Sequence, residues 1–182
     1  MEKTLFLNGF NFALICGVII GWCIWLYIKI KPFIVKRIWN IPFVYYQPNI
    51  NSCNDCSIRA FSKIFNCSWN EAFDIISIGA KHRHLNMSCE TVLLDLLENN
   101  DYKSIYIGDK KYSFCKVVKR LESISGLGGV PYAIFSSDHM CACMDGKLYD
   151  SWDSRTDICT WLVLPKSVIM TNDEIKKKLK VG

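Results

Sequence analysis

The chain has 182 residues, is 51% apolar and 13% aromatic, and carries a formal net charge of +5. That is enough apolar chain for one domain with a real core plus an extra segment, and it excludes a disordered polymer. The positive charge gathers between Lys29 and Arg37 and in the tail "KKKLKVG"; neither run is long enough, or sufficiently interleaved with aromatics, to mark a nucleic-acid binder.

The first element is apolar. Residues 4–28, "TLFLNGFNFALICGVIIGWCIWLYI", contain no charged side chain. About 20 apolar residues cross a bilayer as a helix, whereas a cleavable signal has a shorter apolar core and a small-residue cleavage site. Trp22, Trp25 and Tyr27 crowd the end of the stretch, where aromatic residues mark a membrane interface. The expectation is a single transmembrane anchor over residues 1–30. Lys29, Lys31, Lys36 and Arg37 follow it, and only Lys3 and the amino terminus precede it. Basic flanks stay cytoplasmic, so the N-terminus should face outside and the rest of the chain the cytoplasm. Pro32 and Pro42 interrupt residues 31–44, whose alternating bulky apolar and basic residues suit a juxtamembrane linker at the headgroups.

Residues 45–182 read as one α+β domain, N-terminal helices packed on an antiparallel sheet. Ile58, Phe61, Ile64 and Phe65 give helical spacing over 55–65. Ser68 opens a second helix through Ile78, with Glu71 completing a capping box. A third helix covers 89–98 behind Ser88, and a fourth covers 114–124 behind Ser113. After "SGLGGVP" the period becomes two. Residues 130–135 read as a strand, "HMCACMDGKLYDSW" as two strands joined by Asp145-Gly146, and "DICTWLVLP" as another. A polar helix starts at Asn172.

Ten cysteines in a chain that is neither short nor signal-bearing do not read as a disulfide framework. Several fall at apolar positions, where a free thiol behaves as a small hydrophobe. A reducing compartment is expected. Cys56 is different, because it falls at the polar start of a helix, in "NSCNDCSIRAF". A metal ligand, half of a disulfide and a nucleophile all compete for it.

The hairpin bears on that choice. With a two-residue turn, Met144 pairs with Lys147 and Cys143 with Leu148, so His139, Cys141, Asp150 and Trp152 share one face. Asp150 is then the diagonal neighbour of His139, within reach of a side-chain hydrogen bond. Asp153 points the other way if the strand continues, and is the alternative acid. A thiol at a helix N-terminus is stabilised as thiolate by the helix dipole. An imidazole takes its proton, and a carboxylate fixes the imidazole's tautomer.

"NDCSIRAF" followed by "HMCACMDGKLYDSWDS" resembles the small papain-like cysteine peptidases of bacteriophages and bacteria. It is similar also to the leader-peptidase domains attached to bacteriocin exporters. The resemblance covers roughly Tyr45 to Pro165. It implies a papain-like fold, a thiol hydrolase acting on a peptide or protein, no cofactor, and a Cys56–His139–Asp150 triad. Many members place a glutamine six residues before the cysteine. Here the chain departs from the pattern: Ile50 stands there, Asn51 is the nearest amide in register, Gln47 lies three residues upstream of Ile50 and Asn54 is adjacent. Asn51 is therefore the expected oxyanion donor beside the Cys56 N–H.

Other readings stand beside this one. Cys53, Cys56, Cys141 and Cys143 are a conceivable zinc set, but structural zinc sites pair two C-x-x-C knuckles in loops. A thioredoxin-like role for C-x-x-C needs a βαβ context, which the sequence lacks. His82 and His84 read as a solvated loop. Arg59 reads as an ion-pair partner or a substrate contact, and Trp152 as core or as a shield over His139. A peptidase-like module that only binds peptides, and an amidase or acyltransferase with the same triad, are the alternatives to a peptidase, since fold does not fix function.

Overall fold

The computed structural model describes residues 19–29, 41–49, 54–108 and 112–180. The chain divides into two compact units, Met1–Asn40 and Ile41–Gly182. In the first, residues 19–29 form helix α1, all of them exposed. Among the described residues no helix is long and apolar enough to cross a membrane. The span expected over 4–28 falls largely outside the described residues, as do Asn51 and Cys53.

In the second unit the order is β1 (Phe43–Tyr45), α2 (Cys56–Phe65), α3 (Trp69–Arg83), α4 (Glu90–Glu98), β2 (Tyr102–Tyr106), α5 (Phe114–Leu121), β3 (Tyr132–Phe135), β4 (Met140–Met144), β5 (Lys147–Asp150), β6 (Trp161–Pro165) and α6 (Asn172–Lys180). The class is α+β, but the sheet is mixed rather than wholly antiparallel. Its six strands lie in the order β1-β5-β4-β3-β6-β2, and β1 runs parallel to β5, Val44 opposite Tyr149. Two strands joined by a tight turn must be antiparallel. β1 reaches the sheet from a distant part of the chain and is free of that constraint.

Side-chain alternation builds a core on both faces. Tyr132, Ile134, Cys141, Cys143, Leu162 and Leu164 pack with Phe114, Val117 and Leu121 of α5 and with Ile175 and Leu179 of α6. The intervening Ala133, Phe135, Met140, Ala142 and Val163 pack with Phe61, Ile76 and Leu97 on α2, α3 and α4. Helices therefore cover both faces, which is why β3, β4 and β6 are almost continuously apolar.

The helix ends refine the expected boundaries. α3 carries the capping box, with Ser68 accepting from the Glu71 N–H, but runs past Ile78 to Arg83. Gly79 lets α3 approach α4 closely: a Cβ would sit 2.9 Å from a Leu96 methyl. His82 thus lies in the last turn of α3, and His84 is its left-handed C-cap. α4 is capped by Cys89, with no side-chain capping bond, rather than by Ser88, whose N–H and hydroxyl turn back to Asn86 Oδ1. α5 keeps Ser113 as its cap and ends at Leu121, where the Ile124 N–H closes a tighter turn onto the Leu121 carbonyl.

The β4–β5 hairpin has the expected register, Met144 opposite Lys147 and Cys143 opposite Leu148. Asp145 (φ 51) and Gly146 (φ 68) are both left-handed, as a two-residue type I′ turn requires. A Cβ on Gly146 would come within 2.7 Å of Glu122 Oε1. Gly146→Ala should lower stability by about 1 kcal/mol, seen as a lower urea midpoint at unchanged slope.

Candidate active site

The hairpin places the start of β4 and the end of β5 at the same end of the sheet. His139 immediately precedes β4, Asp150 closes β5, and Cys56 is the first residue of α2. Three residues far apart in sequence therefore meet where the N-terminus of α2 crosses the sheet end.

His139 Nε2 and Asp150 Oδ2 are 2.6 Å apart, with both side chains almost fully buried. Asp150 is held in turn by the Ser151 N–H (2.7 Å), the Ser154 hydroxyl and Arg59 (3.2 Å). Nε2 being spent on the carboxylate, the buried Nδ1 is the imidazole nitrogen left to face the Cys56 thiol. Trp152 lies against the imidazole, ring centroids 4.3 Å apart, with its other contact to the Arg59 guanidinium at 5.3 Å. It is 48% exposed, so it acts as a cover over the histidine–aspartate pair rather than as core.

Burial pushes the Cys56 thiol up. The hydrogen bond to His139, the Met140 N–H, the charge of His139 and the Ser57 N–H pull it down and prevail, so it lies below its ordinary value. Burial likewise works against the charged form of His139, but hydrogen bonds to Asp150 and Cys56 carry it up to about 9. The two shifts favour the same state, thiolate beside imidazolium. The helix start contributes as well. Asp55 is the N-cap of α2 yet makes no side-chain capping bond, which leaves the first N–H groups of the helix to favour negative charge at Cys56.

The Asp55 carboxylate is engaged elsewhere. It binds Arg59 and accepts from Trp69 Nε1 at 2.8 Å. A buried chain of polar groups, Trp69–Asp55–Arg59–Asp150–His139, thus runs under the site. Of the two readings open for Arg59, ion-pair partner or substrate contact, the contacts to Asp55 and Asp150 bear out the first. Trp69 and Ser154 carry no local signal, and their roles come only from the folded contacts. Asp153, the alternative acid, faces away and is clamped by Arg155, at 2.8 Å from Nε and 2.7 Å from the terminal nitrogen. His82, in the last turn of α3, and His84, its C-cap, are both exposed.

The eight described cysteines are free thiols. His139, Cys141 and Asp150 bring ligand atoms within 4.8 Å of one another. The 2.6 Å separation of His139 and Asp150 is nevertheless shorter than the roughly 3.3 Å ligand–ligand edge implied by tetrahedral zinc bonds near 2 Å. Burial also drives the Cys141 thiol well above its ordinary value, against the thiolate a metal needs. This cluster fits a proton better than a metal ion.

A cavity of about 320 Å³ opens on Cys56 and His139, lined also by Ser57, Leu93, Phe135 and Met140. A second, of about 430 Å³, lies on the other side of Ser57 and Ser88 and is walled by Trp69, Phe73 and Met87. Cys56 therefore lies in the wall of the first cavity, and Ser57 and Ser88 border both. No protein-family model, curated protein sequence or solved structure matches the chain.

Proposed function

We propose that the chain is a thiol-dependent hydrolase of peptide bonds, resembling the papain-like cysteine peptidases, with Cys56 as nucleophile, His139 as general acid and base and Asp150 as the residue that orients it. The observation that carries this reading is the single imidazole set between a buried carboxylate on Nε2 and a helix-start thiol whose pKa is lowered. The Cys56 thiolate attacks the scissile carbonyl carbon and forms the S–C bond. The imidazolium of His139 gives its proton to the departing amine as the C–N bond breaks. Water, deprotonated by the neutral imidazole, then attacks the thioester, releases the acid and restores the thiol. The N–H of Cys56 is one oxyanion donor in this scheme, and Asn51 is proposed as the other. No cofactor is required.

The reading extends to location. The charge-free residues 4–28, with exposed Ile19, Ile20, Trp22, Ile24, Trp25 and Ile28, support a single N-terminal anchor. The basic residues after it support an outside N-terminus and a cytoplasmic hydrolase. Tethering raises the local concentration of membrane-proximal protein substrates.

p-Nitrophenyl acetate tests the chemistry without knowledge of the natural substrate. The full chain should release a burst of nitrophenolate stoichiometric with protein, with the acetyl group mapped to Cys56 by mass spectrometry. Cys56→Ala should abolish the burst. No burst, or acetylation spread evenly over the accessible thiols, would refute the nucleophile.

A further inference from the structure

The cavity beside Cys56 has a charge character that the acyl chemistry does not use. Its charged side chains, apart from His139, are Glu90 and Asp138. Glu90 is in the first turn of α4, and Asp138 lies in the turn before β4. Both are exposed, and neither belongs to an ion pair among the described residues. Asp55 and Asp150, by contrast, are both ion-paired with Arg59, and Asp150 also with His139. Asp138 is also held in place, since the hydroxyls of Ser136 and Ser137 donate to its Oδ1 at 3.2 and 3.3 Å. The buried part of the lining is apolar, made by Leu93, Phe135 and Met140. The cavity also has Cys56 and His139 in its wall, so a side chain seated in it lies next to the reacting thiol.

An apolar floor with an anionic rim suits a long aliphatic side chain that ends in a cation. We propose that this cavity receives a lysine or arginine side chain of the substrate peptide, next to the bond Cys56 attacks, and that Glu90 and Asp138 are the specificity-determining residues. The methylene stem lies on Leu93, Phe135 and Met140, and the charged head reaches the two carboxylates. The neighbouring cavity, which shares Ser57 and Ser88 with this one, differs. Trp69 and Phe73 stack at 5.4 Å there, and its one carboxylate, Asp55, is already paired. The acidic character is thus confined to the cavity beside Cys56. This inference rests on the thiol-hydrolase reading.

Three acetyl-dipeptide chloromethyl ketones of one backbone test it on the full chain, with lysine, norleucine or glutamate as the residue bearing the ketone. In each the Cys56 thiolate forms an S–C bond and chloride leaves. The lysyl probe should label Cys56 roughly three- to tenfold faster than the norleucyl probe, and the glutamyl probe slowest, with the spread narrowing in high salt. In the double variant Glu90→Gln/Asp138→Asn the lysyl-to-norleucyl ratio should fall to about one. A wild-type ratio near one, or a preference that survives the double substitution, overturns the proposal. Iodoacetamide, small and neutral, is run in parallel on the wild type. Ordinary, slow reaction at Cys56 with that reagent would instead count against the nucleophile itself, so the two failures are distinct. Both substituted side chains are exposed, and a thermal melt of the double variant confirms that the ratio is read on folded protein.

Discussion

Arg59→Met should destabilise the chain by roughly 3–5 kcal/mol, the range for removing one partner from a buried ion pair. Arg59 is 4% exposed, and its guanidinium joins Asp55 and Asp150, each 2% exposed. Methionine matches the stem but leaves two buried carboxylates without their shared cation, one of them still bound to His139. Arg59→Lys should recover only part of the loss, because an ammonium is a point charge and cannot fork between two carboxylates. The Arg83–Asp95 pair supplies the comparison. Its side chains are 41% and 30% exposed, so Arg83→Met should cost less than about 1 kcal/mol. Urea unfolding of the three variants reads the difference directly. Equal losses at Arg59 and Arg83 would mean that the buried network does not hold the site together. A network of this kind is not a cheap way to gain stability, since well-packed apolar residues often do as well. Its presence under Cys56 makes sense if Asp150 must stay ionised and fixed to orient His139.

How far the sequence disclosed this arrangement depends on how local each signal is. Asp145-Gly146 fixed the β4–β5 register by its turn chemistry alone, and Ser68 with Glu71 marked the start of α3. Those signals lie within four residues. β1 had none. It is three residues long, sits in a stretch whose apolar-basic alternation suits a linker, and pairs with β5 about a hundred residues later. β2 is equally non-local: Tyr102 pairs with Pro165, and the half-buried Lys103 and Ser104 blur its apolar pattern. The second layer of helices on the sheet was legible only in part, because α5 and α6 were found without any indication of which face they cover. In the site, His139 and Asp150 followed from strand alternation. The burial of Arg59, the bond from Trp69 to Asp55 and the grip of Ser154 on Asp150 depend on how α2, α3 and β5 pack, and no spacing in the sequence encodes that.

The pH dependence of Cys56 is the most direct reading of the pair. Iodoacetamide labelling at Cys56 should stay fast below pH 8.5, the ordinary thiol value. Cys67 is the internal reference, since burial, with the charge of Glu71, raises its thiol. The sign follows from the two groups together. Above the lowered pKa of Cys56 and below about pH 9, the pair exists as thiolate and imidazolium, and the protons leave in steps that belong to the pair. Above about 9 the imidazolium is lost while the thiolate remains. Alkylation should therefore persist at high pH, whereas hydrolysis of a peptide, which needs the proton for the leaving amine, should fall on both sides and give a bell. Stability obeys the same linkage. The contribution of His139, whose pKa is raised from 6.5, is fully present below that value and lost as pH rises through about 9. That of Cys56 is present above the ordinary thiol pKa and lost as pH falls through its lowered one. His139→Ala removes the largest opposition to burial at Cys56, so its labelling midpoint should move up to or beyond that of an ordinary thiol. Acyl transfer should then drop by about 10²–10⁴-fold. If Cys56 in the wild type titrates like Cys67, or if His139→Ala leaves its profile in place, the imidazole does not govern the thiol and the hydrolase reading falls.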